Sequence, residues 1–187
     1  MGIQSVEGES DATLVRRVLA GDKNAYAGLM ARYRDRLGRY AMRMLGNSAD
    51  AEDALQETFV RGYRSLARCT DADKFGAWMF GILVNRCRTI GGKRGRRQER
   101  VISDEPALSR ASVAHPEDND ALRGEIEWAV AQLSQTHREA FLMKFVEELS
   151  YEEMMKLTGL KLSALKMRVA RAREELRRLL DEGNSDN

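Results

Sequence analysis

Four carboxylates and one amide follow one another closely in the first half of the chain. They are Asp50, Glu52, Asp53, Gln56 and Glu57. Carboxylates four residues apart share a helix face and could bind a metal ion, but no histidine lies nearby to complete a typical site. Acids near a helix N-terminus also simply complement its dipole. A surface that binds a basic protein is the functional alternative, and these residues alone leave the choice open.

Positive charge is concentrated in two windows. Residues 86–100 contain seven basic side chains and one acid, a net charge of +6, and residues 161–178 contain seven and two, a net charge of +5. The formal charge of the whole chain is only +2, because other segments are acidic. Two separated basic helices suit two contacts along one polyanion, although a solvated helix face explains either window alone.

A helix-turn-helix pattern includes the second window. Ser150 and Glu153 form a capping box that opens a short helix, Gly159 ends it, and a longer helix follows over residues 162–180. In this motif the second helix enters the major groove, where basic residues hold phosphates. A generic helical hairpin has the same spacing. The residues expected to face the core are Leu162, Leu165, Val169 and Leu176.

Helices must position all of these side chains. The chain has 187 residues, 43% of them hydrophobic and only two of them proline, and apolar residues recur at helical spacing along most of it. The predicted fold is all-α, with two small helical domains over residues 11–99 and 120–181. Residues 100–119 contain both prolines, several serines and several acids, so they are expected to form a flexible linker.

Local patterns predict several helix limits. Gly91, Gly92 and Gly95 are expected to end the last helix of the first domain. Thr136 and Glu139 suggest a capping box that opens a helix in the second domain. Residues 67–73 are expected to form a loop. The helix before that loop, over residues 48–66, is expected to bury Ala51, Leu55, Phe59, Tyr63 and Leu66.

Composition excludes several classes of protein. No segment approaches the roughly 18 apolar residues of a membrane span, and the acidic N-terminus lacks the basic region of a signal peptide. Cys69 and Cys87 do not form a CxxC pair, and there are only two histidines. We therefore expect reduced thiols in a cytosolic protein, with no disulfide, no metal site and no cofactor.

The motifs together resemble a known family, the bacterial RNA polymerase sigma factors of the sigma-70 family, and within it the small extracytoplasmic-function (ECF) type. The resemblance covers residues 11–180. Its most specific part is AEDALQETFV at 51–60, followed by FGAWM at 75–79. Further matching strings are LVRR at 14–17, GDKNAY at 21–26, EELSYEE at 147–153 and RAR at 171–173.

The resemblance implies two domains similar to sigma regions 2 and 4, without catalytic residues. The helix that contains the five acidic and amide residues named above would dock on the clamp helices of the β′ subunit of core RNA polymerase. The loop 67–73 and the helix after it would recognise and melt the −10 promoter element by capturing a flipped base. The expected contacts on that helix are Asn85, Arg86, Arg88, Arg94, Arg96 and Arg97.

The second domain would bind the −35 element as duplex DNA. Its expected contacts are Lys161, Ser163, Lys166, Arg168, Arg171 and Arg173. The family also implies further partners, namely the flap of the polymerase β subunit and an anti-sigma factor. No membrane insertion of the chain is expected, since no segment has the apolar length of a membrane span.

Some positions depart from the family pattern. Thr89 stands where many relatives have aspartate, and Ser134 stands where they have proline and could cap the next helix instead. Ala164 and Met167 replace hydroxyl residues on the −35 helix, which removes candidate hydrogen bonds to phosphates. The preferred −35 sequence is therefore expected to be unusual.

Two other classes of function remain as alternatives. A conventional dimeric helix-turn-helix regulator would bind duplex DNA without polymerase. This function would leave the string at 51–60 unexplained. A nucleic-acid enzyme would need clustered carboxylates or a histidine and cysteine constellation, and the sequence offers a single acidic helix.

Overall fold

The structure is a computed structural model that describes residues 8–101 and 118–185, with side chains described over 8–92 and 123–182. All regular structure in these ranges is helical, which confirms the predicted fold class. The chain divides into two compact units, residues 1–92 and 93–187. Most of the predicted linker, residues 102–117, lies outside the described residues. No described helix combines the length and apolar character of a membrane span.

Eight α-helices make up most of the described chain. The first four are α1 (Asp11–Leu19), α2 (Lys23–Leu45), α3 (Ser48–Arg64) and α4 (Phe75–Val101). Two short 3-10 turns, Leu66–Arg68 and Ala72–Lys74, connect α3 to α4. The others are α5 (Asp118–Gln132), α6 (Gln135–Phe141), α7 (Tyr151–Thr158) and α8 (Leu162–Ser185), with a π-helical turn at Leu142–Val146 after α6.

Short polar side chains begin the helices of the first unit. The Asp22 carboxylate accepts a hydrogen bond from the backbone N–H of Asn24 at 3.0 Å, which caps α2, and Gly46 ends that helix with a φ of 74°. The core between the four helices is fully buried and strongly apolar, so burial drives their packing. Its largest members are Leu14, Leu29, Leu37, Tyr40, Phe75, Met79 and Leu83.

The buried face of α3 differs from the predicted one. Ala51, Phe59 and the following Leu66 are buried as expected, but Tyr63 is 42% exposed and Leu55 is half-buried. The remaining inward positions are Ala54, Thr58 and Gly62. The helix is therefore rotated so that small residues meet its neighbours, and the buried Thr58 hydroxyl donates within α3 to the Ala54 carbonyl at 2.6 Å.

Gly62 lies at a close approach between α3 and α4. A Cβ atom at this position would lie 2.5 Å from Met79 Sδ and 3.0 Å from Tyr26 Oη. Met79 is fully buried, and the Tyr26 hydroxyl donates to the Phe59 carbonyl at 2.6 Å, so neither neighbour has room to move. Glycine is required here by space and not by backbone conformation.

Gly62→Ala should therefore lower the free energy of unfolding of the first unit by about 1–3 kcal/mol, as overpacking does in other cores. Gly38→Ala is the matched control, because a Cβ there meets only Leu55 Cδ2 at 3.6 Å, an ordinary contact. In mid-helix that change should stabilise by about 0.5–1 kcal/mol. Urea unfolding of both variants measures the two effects, and equal effects would contradict this packing.

The C-terminal part of α4 corrects the expectation that glycines end it. The helix continues through Gly91, Gly92 and Gly95 to Val101. A glycine costs only about 1 kcal/mol in a helix, and the lysines and arginines between and after these glycines are good helix formers. The basic segment therefore extends from the first unit as helix, beyond the predicted end.

In the second unit the start of α6 also differs from its predicted capping box. Ser134 is the N-cap, and its hydroxyl accepts from the backbone N–H of His137 at 3.3 Å, whereas Thr136 lies inside the helix. The expectation that Ser134 could cap in place of proline is confirmed. Leu165, Val169 and Leu176 of α8 are buried as predicted, but Leu162 is 40% exposed because it occupies the first position of the helix.

Arg138 connects α6 to the C-terminal end of α5 through hydrogen bonds. Its guanidinium donates to the carbonyls of Val130 at 3.1 Å and Leu133 at 3.0 Å, and also to that of Ala131. The last carbonyls of a helix have no partner within it, and one cation here binds two of those of α5 together with the carbonyl of the following Leu133. His137 Nδ1 lies 3.0 Å from Glu175 Oε2, which adds a polar contact between α6 and α8.

Candidate nucleic-acid and partner interfaces

The acidic residues of α3 divide into an exposed set and a structural set. Glu52, Asp53 and Gln56 are exposed along one side of the helix. Asp50 is half-buried at the first turn, where its carboxylate accepts from Asn47 Nδ2 at 2.7 Å. Its backbone N–H donates to Asn47 Oδ1 at 2.8 Å, so Asp50 belongs to the cap of α3.

Glu57 follows Asp53 by four residues and lies half-buried at the edge of this exposed side of α3. Arg61 Nε donates to its Oε1 at 2.6 Å. This hydrogen bond, with smaller contributions from the positive charges of Arg86 and Arg64, holds the pKa of the Glu57 carboxyl below its usual range. Glu57 is therefore ionised at neutral pH and surrounded by arginines of its own chain.

Two apolar residues extend the exposed side of α3. Val60 and Tyr63 are both 42% exposed, and they follow Gln56 by four and seven residues, which is the spacing of one helix face. The exposed strip of α3 thus consists of Glu52, Asp53, Gln56, Val60 and Tyr63. Sequence reasoning assigned Tyr63 to the core, although the same spacing already placed it in line with Gln56.

The residues between α3 and α4 form a compact connection. The Cys69 thiol donates to the Asp71 carbonyl at 3.5 Å, and Lys74 Nζ lies 2.7 Å from Asp71 Oδ2. Partial burial, followed by the charge of Asp71, raises the pKa of the Cys69 thiol. The predicted loop over 67–73 is therefore held in shape by two 3-10 turns, directly before the buried Phe75.

The three described candidates on α4 differ in accessibility. Asn85 is exposed, whereas Arg86 and Arg88 are half-buried. Among the described atoms, Arg86 Nε is buried without a hydrogen-bond partner. Thr89, one of the departures from the family pattern, donates its hydroxyl to the Asn85 carbonyl at 2.9 Å. Arg94, Arg96 and Arg97 lie on α4, but their side chains are outside the described residues.

The helix-turn-helix of the second unit forms as predicted. The Ser150 hydroxyl accepts from the Glu153 N–H at 3.2 Å while the Glu153 carboxylate accepts from the Ser150 N–H at 2.8 Å, and Gly159 ends α7 with a φ of 69°. In the turn, the Leu160 N–H donates to the Thr158 hydroxyl at 3.1 Å. The packed core of this unit includes Met154, Leu165, Val169, Ala172 and Leu176.

The outer face of α8 presents most of the predicted −35 residues. Arg168 is half-buried, and the five exposed candidates are Lys161, Ser163, Lys166, Arg171 and Arg173. Met167 lies among them and is 50% exposed, so an apolar side chain occupies the outward face. The Arg173 guanidinium lies over the Phe145 ring, 6.0 Å from its centroid, which directs it toward the π-helical turn.

Comparison with known proteins agrees with this arrangement. Residues 29–98 match the family model of Sigma-70 region 2, and residues 123–176 match that of Sigma-70, region 4. RNA polymerase sigma factor CarQ of Myxococcus xanthus is 34% identical over 168 residues, which are 90% of this chain and 96% of CarQ. ECF RNA polymerase sigma factor SigW of Bacillus subtilis is 28% identical over 178 residues, 89% of this chain and 94% of SigW.

A solved structure is similar over most of the chain as well. The sigma factor RpoE of Bartonella quintana, in its complex with the anti-sigma factor NepR, superposes with a TM-score of 0.67 at 25% identity, over 83% of this chain and 96% of that one. The two family-model matches include α3, most of α4 and the helix-turn-helix. This chain therefore belongs to the sigma-70 family and is a sigma factor of the extracytoplasmic-function type, which directs RNA polymerase to promoters.

Proposed function

We propose that the exposed strip of α3 binds core RNA polymerase, that α4 binds the −10 element and that α8 binds the −35 element. The observation that carries this proposal is the separation of charge. Acids are exposed on α3, while the basic residues of window 86–100 lie on α4, with Arg86 and Arg88 in the first unit and the others beyond its limit. A protein that binds both a basic protein surface and a polyanion needs one acidic face and one basic face.

Docking on the clamp helices of the β′ subunit is assigned to Glu52, Asp53 and Gln56, with Val60 and Tyr63 as apolar contacts. Interfaces combine an apolar, often aromatic centre with polar residues that set the orientation. Asp50 acts through the α3 cap instead, and Glu57 through its contact with Arg61. The polymerase β flap would bind the second unit.

Promoter melting follows from binding free energy and requires no catalytic residue. Bases that have left the duplex expose edges and faces that a protein pocket can hold, so binding favours the melted strand. Residues 67–73 and the exposed Asn85 would hold such bases. Arg88, Arg94, Arg96 and Arg97 would bind phosphates, and Arg86 would support the helix from its half-buried position.

Arg171→Ala should weaken binding of the polymerase complex to promoters that carry a −35 element. Arg171 is exposed on α8, and loss of one phosphate contact should reduce the salt slope of log K by about 0.9. Arg123→Ala on α5 is the control, since Arg123 forms only an exposed pair with Glu127 at 3.5 Å. Salt titrations of both variants measure this effect, and identical slopes would remove Arg171 from the DNA interface.

An anti-sigma factor is proposed as the regulatory partner. The similar RpoE was solved in complex with one, NepR. A partner that covers α3 or α8 would block polymerase or promoter DNA directly. Since polymerase and promoter are cytoplasmic in bacteria, the proposed place of action is the cytoplasm.

Reconstituted transcription tests the proposed function. Core RNA polymerase from the same organism would transcribe a library of its genomic fragments with and without the purified chain, and sequencing of the RNA 5′ ends would locate start sites. The chain should produce a set of starts preceded by common −10 and −35 sequences. Start sites that are unchanged by the chain would contradict the proposal.

A further inference from the structure

Helix α2 contains a third concentration of positive charge, which the proposed function does not use. Between residues 23 and 45 there are six basic side chains and a single acid, Asp35, which gives a net charge of +5. That equals the charge of the window on α8. Core residues separate its members, so the density of charge along the sequence does not reveal it.

Four of these basic side chains form one stripe along α2. Arg32, Arg36, Arg39 and Arg43 are separated by four, three and four residues, so they fall within about 60° of one another around the helix axis. Arg36 and Arg39 are exposed and Arg43 is half-buried. Arg32 is paired with Asp11 of α1, which neutralises that end of the stripe.

Neither the helix dipole nor the core accounts for the whole stripe. The helix dipole favours cations only in the last turn, and only Arg43 lies there. The core-facing positions of α2 are Leu37, Tyr40 and Ala41. The remaining arginines, Arg36 and Arg39, therefore place like charges side by side on an exposed face.

The stripe lies beside the helix that is proposed to bind the −10 element. Helix α4 packs alongside α2 in the same direction, with the Tyr33 and Phe75 ring centroids 5.6 Å apart and those of Tyr40 and Phe80 4.8 Å apart. Arg43 is thus one turn beyond Tyr40, and the basic part of α4 starts less than two turns beyond Phe80. The two positive segments continue in the same direction.

We infer that Arg36, Arg39 and Arg43 form a third phosphate-binding surface, which holds the promoter backbone next to the −10 element. The seven steps from Arg36 to Arg43 rise about 10 Å along the helix, which matches roughly three phosphates of one DNA strand. Promoter DNA is favoured over an acidic protein because the stripe adjoins a DNA-binding helix. This inference rests on the proposed function.

The test compares two double variants in the complex of the full chain with core polymerase. Arg36→Gln with Arg39→Gln removes two charges from the stripe. Lys23→Gln with Arg34→Gln removes two exposed charges from the other side of the same helix, each about 170° from the midpoint of Arg36 and Arg39. Glutamine preserves helix propensity, so both variants should fold. Promoter fragments found in the transcription experiment serve as the DNA.

The stripe variant should bind promoter DNA roughly tenfold more weakly near physiological salt, with a salt slope reduced by about 1.8, as two lost phosphate contacts require. The control variant should bind promoter DNA with nearly wild-type affinity. Both variants should bind core polymerase with nearly wild-type affinity. Unchanged promoter binding by the stripe variant, or an equal loss in the control, would overturn the inference. Loss of polymerase binding instead would also overturn it and would indicate an acidic protein partner. Failure of the wild-type chain to support transcription would count against the proposed function.

Discussion

Asp53→Ala combined with Gln56→Ala should lower the affinity of the chain for core RNA polymerase by at least about tenfold. Both side chains are exposed on α3, in the middle of the strip that extends from Glu52 to Tyr63. Residues near the centre of an interface often contribute 2 kcal/mol or more when truncated. Because neither side chain contributes to the core, the variant should remain folded. Fluorescence anisotropy of labelled chain titrated with core polymerase measures the change.

A matched control removes the same chemical groups from another helix. Asp35→Ala combined with Asn24→Ala also deletes one carboxylate and one amide, both exposed, from α2 of the same unit. This control should bind polymerase with wild-type affinity. If the α3 variant binds as tightly as the control, α3 is not the docking helix.

Arg138→Ala should have the largest effect on the second unit, with a loss of about 2–4 kcal/mol in its free energy of unfolding. The side chain donates hydrogen bonds to three carbonyls at the end of α5, and hydrogen bonds to charged groups contribute about 1.5–3 kcal/mol each when partners would otherwise be unsatisfied. A unit of this size has only a few kcal/mol to lose. The affinity for −35 DNA should fall as well, because the second unit becomes less stable.

Hydrogen exchange followed by mass spectrometry separates the two units within the full chain. Amides of α5 to α8 should lose protection in Arg138→Ala, while those of α1 to α4 should be unaffected. Arg123→Ala removes an arginine from α5 that makes only an exposed ion pair, which contributes at most about 1 kcal/mol. Equal protection in the two variants would show that the Arg138 hydrogen bonds do not stabilise α5.

The helix-turn-helix could be predicted almost completely from the sequence. Its limits depend on local chemistry, namely a capping box at Ser150 and a left-handed glycine at Gly159, and both operate within a few residues. The same holds for the all-helical fold, since apolar spacing and scarce proline act locally. The family itself was identified through the strings at 51–60 and 75–79.

Features that depend on tertiary packing could not be predicted in this way. The rotation of α3 follows from the contact of Gly62 with Met79, two residues that are 17 positions apart and on different helices. Sequence periodicity alone therefore placed Tyr63 in the core. Both Ser134 and Thr136 were predicted as possible caps of α6, and the choice between them depends on where α5 ends, which Arg138 helps to fix.

Only some of the candidate DNA-binding residues could be predicted from the sequence. Charge density found the windows on α4 and α8 but not the stripe on α2, where the arginines alternate with core residues. It also could not distinguish the exposed Asn85 from the half-buried Arg86. Orientation around a helix requires knowledge of its neighbours, which composition does not provide.

The most direct test of the account is whether promoter opening depends on polymerase. Permanganate, which oxidises unpaired thymines, would be applied to a promoter found by the transcription experiment, with the chain alone, core polymerase alone or both. Thymines of the −10 region should react only when both are present, and the chain alone should protect little duplex. Tight promoter binding by the chain alone, without polymerase and without thymine reactivity, would contradict the account and support a conventional helix-turn-helix regulator.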